Sequence, residues 1–176
     1  MDLAADLAAD VGARVRELRE AQGLSLSELA RRSTLGKGTL SELESGRRNP
    51  TLETLYALTT ALGVPLSTVL HDLAPPVKVS GNAVEAVLLD RFEADASVTE
   101  TYRIRIHSGA TQHSAAHAPG TTEHLVVLTG TARIGTLAEP ALIGPGAHGS
   151  WPADVPHLYE APDGDVEAVL IVRHPR

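Results

Sequence analysis

The chain has 176 residues, a net charge of −7 at pH 7 and no cysteine. The missing cysteine excludes disulfides, thiolate zinc sites and cysteine nucleophiles, and the negative charge argues against nucleic-acid binding over the whole surface. The N-terminal residues lack the basic region of a signal peptide, and no apolar run reaches the roughly 20 residues of a membrane helix. We therefore expect a cytoplasmic protein that has no contact with a membrane.

The first part of the chain, residues 11–70, shows helical periodicity, with apolar residues recurring every three or four positions. Ser25 is a good N-cap, and the glutamate at position 28 completes a capping box. Two more helices follow, and Pro65 precedes a short last one. We predict an all-α domain of about five helices over residues 1–72.

The second part has a different period. Tyr102, Ile104 and Ile106 alternate with polar residues, as in a half-buried strand. Further apolar runs are separated by Gly and Pro at the short spacing of an antiparallel barrel. The fold class is thus α + β, with an antiparallel β jelly-roll over residues 83–176. Residues 73–82, LAPPVKVSGN, are predicted to be a linker.

A basic cluster interrupts the acidic chain. Residues 31–48 carry five basic and two acidic side chains. Such a cluster fits one local contact with a polyanion, and it also fits a solvated helix face.

The segment RVRELREAQGLSLSELARRSTLGKGTLSELESGRRNPTLETLYALTTALGVPL, residues 14–66, resembles the Xre/phage-repressor helix-turn-helix family without a gap. The resemblance implies a positioning helix at residues 25–33 and a recognition helix at residues 37–45 that enters the major groove of double-stranded operator DNA. The implied base-facing residues are Lys37, Gly38, Ser41 and Glu42. The implied phosphate contacts are Ser25, Ser27, Arg47, Arg48 and Asn49.

Two consequences remain open at this point. Because Glu42 and Glu44 in the recognition helix are acidic, a helical domain that has lost DNA binding remains an alternative interpretation. If DNA is bound, a homodimer that reads half-sites about 34 Å apart is expected, because one head alone binds weakly.

The strands and the stretch HSAAHAPGTTEHLVVLTG, residues 113–130, resemble the cupin superfamily of small jelly-roll barrels. Its first motif, G-x5-H-x-H-x3-4-E-x6-G, has Ala115 at the first histidine, His117 at the second and Glu123 one residue late. Its second motif, P-x-G-x2-H-x3-N, keeps His157 but has Asp154 for the glycine and an alanine for the asparagine.

Three of the four ligands that the cupin resemblance implies are therefore present, namely His117, Glu123 and His157. Two histidines and a carboxylate can hold a divalent metal such as non-haem iron. The extra residue before Glu123 could turn His117 away, in which case the histidines would line a pocket without metal. His113 or His124 could substitute, although His124 should point to the opposite face from Glu123.

Trp151 and Tyr159 flank the second motif and are candidates for ligand binding at a pocket mouth, with plain core packing as the alternative. His107, His148 and His174 are expected to be ordinary surface or loop residues.

The order of the two parts resembles the Xre–cupin class of transcriptional regulators. The resemblance implies a non-enzymatic protein whose barrel senses a small-molecule effector, with metal possible, and changes operator affinity. One alternative is an iron enzyme similar to the hydroxyalkylphosphonate epoxidases, which share this architecture. The acidic barrel and the basic recognition helix argue against it. Another alternative is a structural barrel whose only role is to join two helix-turn-helix domains in a dimer.

Overall fold

The structure is a computed structural model that describes residues 3–70, 78–94 and 96–175, without the side chains of residues 3–7. The chain divides into two compact units, residues 1–77 and residues 78–176. No helix in the described ranges has both the length and the apolar character needed to cross a membrane.

The described residues of the first unit, 3–70, form five helices, as the sequence predicted. They are α1 (Leu3–Ala21), α2 (Leu26–Arg32), α3 (Lys37–Glu44), α4 (Leu52–Leu62) and α5 (Ser67–Leu70). The hydroxyl of Ser25 accepts a hydrogen bond from the backbone N–H of Glu28 and starts α2, and Thr51 starts α4 in the same way. Leucines at helical spacing, among them Leu40, Leu43 and Leu55, form the core.

Helix α1 packs against α3 at very short range. A Cβ placed on Gly12 would lie only 2.1 Å from the backbone oxygen of Leu43, so a residue with a side chain would push the two helices apart. Glycine at this position thus lets the first helix support the end of the third.

The described residues of the second unit, 78–94 and 96–175, form ten strands in two antiparallel sheets. They are β1 (Lys78–Ser80), β2 (Val84–Ala94), β3 (Ser97–Ile106), β4 (Thr111–Ser114), β5 (Thr122–Thr129), β6 (Ala132–Thr136), β7 (Ala141–Ile143), β8 (His148–Pro152), β9 (His157–Glu160) and β10 (Val166–Pro175). One sheet has the order β1-β2-β3-β10-β5-β8 and the other β4-β9-β6-β7. This is the predicted jelly-roll barrel.

Alternation along the strands directs one set of side chains into the barrel. Tyr102, Ile104 and Ile106 on β3 are buried while the arginines between them are exposed, which confirms the predicted period. The register places Glu100 of β3 beside a valine of β10 and that valine beside Glu123 of β5. Two buried carboxylates therefore face the interior in one row.

The barrel begins earlier than the sequence suggested. Strand β1 lies within the segment predicted to be a linker and pairs with residues 85–87 of β2. The second unit thus starts at Lys78 rather than at residue 83, because three residues suffice to extend the sheet by one strand. The prolines of the predicted linker lie outside the described residues.

Candidate functional site

The predicted DNA-contacting residues form one surface, which we call the α3 surface. It consists of the exposed residues of α3 and the turn after it: Lys37, Gly38, Ser41, Glu42, Arg47, Arg48 and Asn49. Ser41 is half-buried and the others are exposed. Ser25 and Ser27, at the start of α2, are exposed too. The hydroxyl of Ser25 accepts the hydrogen bond that caps α2.

The basic side chains of this region differ in how they are paired. Arg31 and Arg32 both donate to the carboxylate of Glu28, and these hydrogen bonds lower the pKa of Glu28 to about 2. By contrast, the side chains of Lys37 and Arg47 have no partner within the described residues. These two cations are available for a polyanion.

The two acidic residues of α3 do not share a role. The Glu44 carboxylate is buried and receives hydrogen bonds of 2.7 and 2.9 Å from Arg19 of α1. Glu42 is exposed and lies 3.2 Å from the guanidinium of Arg48. Glu42 is therefore the one acidic residue of α3 that is exposed on the α3 surface, and Arg48 lies beside it. This weakens the alternative that acidic residues in α3 prevent DNA binding.

In the barrel, His117, Glu123 and His157 come together as the motif predicted. All three are buried, and one ligand atom from each lies within 4.8 Å of the others. The Nε2 atom of His117 lies 3.1 Å from Oε1 of Glu123, and the Nε2 atom of His157 lies 3.4 Å from Oε2.

The protonation of His157 favours a cation between these side chains. Its Nδ1–H donates to the Val155 backbone oxygen over 2.9 Å, so in the neutral ring Nε2 is the nitrogen without a proton. Burial lowers the pKa of His157 and keeps the ring neutral. Nε2 has no hydrogen-bond partner among the described residues. The lone pair of His157 Nε2 therefore faces Oε2 of Glu123. These two atoms repel each other unless a cation lies between them.

Glu123 is held ionised. Burial alone would raise the pKa of its carboxyl, but the hydrogen bond from the His117 side chain and the electrostatic attraction of that side chain outweigh burial and lower the pKa. The hydroxyl of Tyr159 also donates to Oε2. A carboxylate with a phenol donor behind it is a typical metal ligand with its supporting hydrogen bond.

These residues fit a divalent metal ion. Neighbouring ligands of an ion with bonds of about 2.1 Å lie roughly 3.0–3.4 Å apart, and the two histidine–carboxylate distances are 3.1 and 3.4 Å. The donor set of two imidazoles and one carboxylate suits iron, zinc or manganese and leaves further coordination positions for a small molecule.

The extra residue in the first motif does not turn His117 away. His117 lies in the loop between β4 and β5, where its backbone N–H donates to the Ala153 oxygen over 2.9 Å. A turn after it, closed by a hydrogen bond from Thr121 N–H to the Ala118 oxygen, takes up the additional residue. His124 points away from Glu123, as predicted, and His113 is exposed on β4.

Trp151 and Tyr159 lie deeper than a pocket mouth, because both are buried. Their rings make an edge-to-face contact at 5.7 Å, and the Tyr159 ring contacts His157 at 5.8 Å. Trp151 also forms part of the wall of a cavity of about 150 Å³. Tyr159 therefore supports the metal-ligand set, and Trp151 separates that set from the cavity.

A second buried polar cluster was not foreseen. Oε2 of Glu100 accepts from the Tyr102 hydroxyl over 2.8 Å and lies 3.1 Å from Nε2 of His174. His174 was expected to be a surface or loop residue, but it lies in β10 with a mostly buried side chain. The register of β10 against β3 brings these distant residues together, and no local pattern signals it.

Comparison with known proteins places the chain among regulators. Residues 15–69 match the helix-turn-helix family HTH_3. Over 157 residues the chain is 31% identical to the HTH-type transcriptional regulator SutR of Escherichia coli strain K12, and the match covers 88% of each protein.

Two solved structures are similar as well. An HTH_3 family transcriptional regulator from Vibrio cholerae superposes with a TM-score of 0.88 at 24% identity, over 98% of this chain and 99% of that one, which shows a shared fold. A hydroxypropylphosphonic acid epoxidase from S. wedmorenis gives a TM-score of 0.45 at 17% identity, over 93% of this chain and 97% of that one. So loose a superposition carries no argument about activity.

Proposed function

Since the chain belongs to the Xre family of helix-turn-helix transcriptional regulators, we propose that it binds operator DNA through the α3 surface in response to a small molecule. The observation that carries the DNA-binding part is the charge state of that surface. Lys37 and Arg47 are exposed cations without partners in the described chain, while Glu44 is neutralised by Arg19. Free cations beside an exposed recognition helix are what a phosphate backbone requires.

In this proposal base edges are read by Lys37, Gly38, Ser41 and Glu42 of α3, of which Ser41 is half-buried and the others are exposed. Phosphates are held by Ser25, Ser27, Arg47, Arg48 and Asn49. Because one head offers few base contacts, two chains bind as a homodimer on half-sites about 34 Å apart. The proposed partner is double-stranded operator DNA, and a cytoplasmic location fits it.

The test of the DNA-binding part uses a duplex that the wild-type chain selects from random sequences. The triple variant Lys37→Ala, Arg47→Ala, Arg48→Ala should lose most of its affinity in fluorescence anisotropy. Metal content of the barrel, measured on the same sample, serves as the control for folding of the other unit. Unchanged affinity in the triple variant would refute the assignment of the α3 surface.

The barrel is the sensing part, and the set His117, Glu123 and His157 is its centre. A metal held there would supply a Lewis acid with open coordination positions, and Tyr159 would keep Glu123 oriented. Effector binding changes operator affinity only if the effector binds the DNA-competent and the incompetent arrangement unequally. An effector that coordinates the ion, or that fills the space beside Trp151, meets that requirement when its binding position differs between the DNA-competent and the incompetent arrangement.

Metal content tests the barrel assignment directly. Protein purified without a tag or chelator should contain near-stoichiometric iron, zinc, nickel or manganese by mass spectrometry. His157→Ala should lose the ion, while His113→Ala, which alters an exposed histidine on a neighbouring strand, should keep it. Equal metal content in the wild type and His157→Ala would remove this set from the mechanism.

The same donor set favours one second candidate, a mononuclear non-haem iron enzyme, because two histidines and a carboxylate are its usual ligands. Oxygen consumption by the iron-loaded chain in the presence of a hydroxyalkylphosphonate distinguishes the two. Oxygen consumption that is lost in Glu123→Ala would favour the enzyme. If the wild type consumed no oxygen, the regulator would be favoured.

A further inference from the structure

A cavity of about 150 Å³ lies between the β6–β7 hairpin and β8, beyond the metal-ligand set. Its lining comes from residues 134–136, 139, 141 and 149–152. The cavity opens to solvent, since Glu139, Ala141 and Pro152 of its lining are exposed, and its volume suits a ligand of about six non-hydrogen atoms.

The charge of the lining selects the ligand's charge. Glu139 is the single ionisable side chain among the described residues that line the cavity. Its carboxylate forms no ion pair within the described chain. The lining therefore attracts a cation and repels an anion.

The backbone holds Glu139 in this position. The N–H of Glu139 donates to both the oxygen and the hydroxyl of Thr136, over 3.3 and 3.2 Å. Gly135 has a φ of 121°, and a Cβ there would lie 3.2 Å from the Glu139 oxygen. The close turn therefore depends on glycine and keeps the acidic residue against the cavity.

The rest of the lining is apolar or weakly polar. Ile134, Ala141 and Pro152 supply aliphatic surface, and Trp151 supplies an aromatic ring. An ammonium group beside an indole gains a cation–π attraction. Trp151 in turn contacts His157 with ring centroids 6.3 Å apart, so one aromatic ring separates the cavity from the metal-ligand set.

We propose that this cavity binds a small organic ammonium ion, with Glu139 as its counter-ion and Trp151 against its apolar body. The inference rests on the proposed sensing role of the barrel, to which it adds the charge and size of the effector.

The experiment uses the full chain, because Trp151 is the single tryptophan in it and lines the cavity, so that its fluorescence responds to a ligand bound there. Three probes of similar size are titrated: butylammonium, 1-butanol and butyrate. Butylammonium should give a saturable change at millimolar concentration, 1-butanol a weaker one and butyrate none. Calorimetry of the same titrations gives a reading independent of fluorescence. Butyrate binding as tightly as butylammonium, or no saturable binding by either method, would overturn the proposal.

The variant Glu139→Gln keeps the size of the side chain and removes its charge. Its affinity for butylammonium should fall roughly tenfold, as expected for losing a charged hydrogen-bond partner. Asp163→Asn, at another exposed loop position, is the matched control and should bind as the wild type does. Equal affinity in Glu139→Gln and Asp163→Asn would refute the role of Glu139.

Metal content and operator affinity, measured on the same proteins, separate this inference from the proposed function. If metal and DNA are bound as proposed but butylammonium is not, only the inference fails. If the wild type fails to bind DNA while butylammonium binds, the regulatory role fails and the cavity assignment stands.

Discussion

Arg19 of α1 holds the carboxylate of Glu44 at the end of α3 with two hydrogen bonds, 2.7 Å from Nε and 2.9 Å from Nη2. A third bond runs from Nη1 to the backbone oxygen of Leu24, just before α2. The bond to Glu44 raises the pKa of Arg19. One side chain of the first helix thus fixes both ends of the helix-turn-helix.

Replacing one partner of this pair should destabilise the first unit. In Glu44→Ala the guanidinium of Arg19 stays in a site where its side chain is 10% exposed, and it keeps only the exposed carboxylate of Glu20, 3.3 Å away, as a counter-charge. Removing one member of a buried ion pair costs about 3 kcal/mol. Urea unfolding of the full chain, followed by helical circular dichroism, should show the helical transition at lower urea.

Glu17→Ala provides the control on the same helix. Glu17 pairs with Arg14 over 3.1 Å, but both side chains are largely exposed, at 66% and 46%. Such a pair contributes less than about 1 kcal/mol. If the two variants unfold at the same urea concentration, Arg19 and Glu44 do not support the helices as described.

Most of the helical unit could be predicted from sequence because its signals are local. The cap at Ser25 and the spacing of the leucines depend on neighbours within a few residues. The Arg19–Glu44 pair could not be predicted, since the partners are 25 positions apart and meet only because α1 crosses α3. Glu44, one of the two acidic residues that argued against DNA binding, therefore holds α3 to α1.

The barrel shows the same limit. Motif spacing was enough to select His117, Glu123 and His157, and strand alternation predicted that His124 would face away from Glu123. The cluster of Glu100 and His174 depends on a strand register that joins residues 74 positions apart. The cavity beside Trp151 depends on the spacing between two sheets, which no motif encodes.

The loop before β10 should make stability depend on acid pH. Asp165 accepts from the Ser108 backbone N–H over 2.9 Å and from Arg105, and these contacts lower the pKa of its carboxyl, the backbone bond most. A lowered folded-state pKa stabilises the protein at pH values above the unfolded-state pKa of about 3.9. That contribution disappears as the pH falls through the folded pKa.

Asp165→Asn isolates this effect. The variant should unfold at lower denaturant concentration than the wild type at neutral pH, and the difference should shrink at pH values below the ordinary aspartate pKa. Denaturant unfolding at a series of pH values measures it. A difference that stayed constant through the acid range would show that the ionised carboxylate is not what stabilises this loop.

Tyr159→Phe should weaken metal binding without abolishing it. The variant loses the hydroxyl that donates to Glu123 but keeps all three candidate ligands. Loss of such a supporting hydrogen bond costs roughly tenfold or more in metal affinity. Competition with a chelating dye measures the change, with Tyr56→Phe in α4 as a control outside the barrel. Equal affinity in both variants would mean that Tyr159 does not orient Glu123.

Salt dependence of DNA binding should separate the free from the paired arginines. Arg47 has no side-chain partner in the described chain, whereas Arg31 gives two hydrogen bonds to Glu28, of 3.1 and 2.8 Å. Each lost phosphate contact lowers the slope of log affinity against log salt by about 0.9. Arg47→Ala should therefore flatten the slope by roughly this amount per head, and Arg31→Ala should leave it near the wild-type value. Anisotropy titrations across a range of potassium chloride concentrations give both slopes. If Arg31→Ala flattened the slope as much as Arg47→Ala, pairing within the protein would not decide which arginines reach the phosphates.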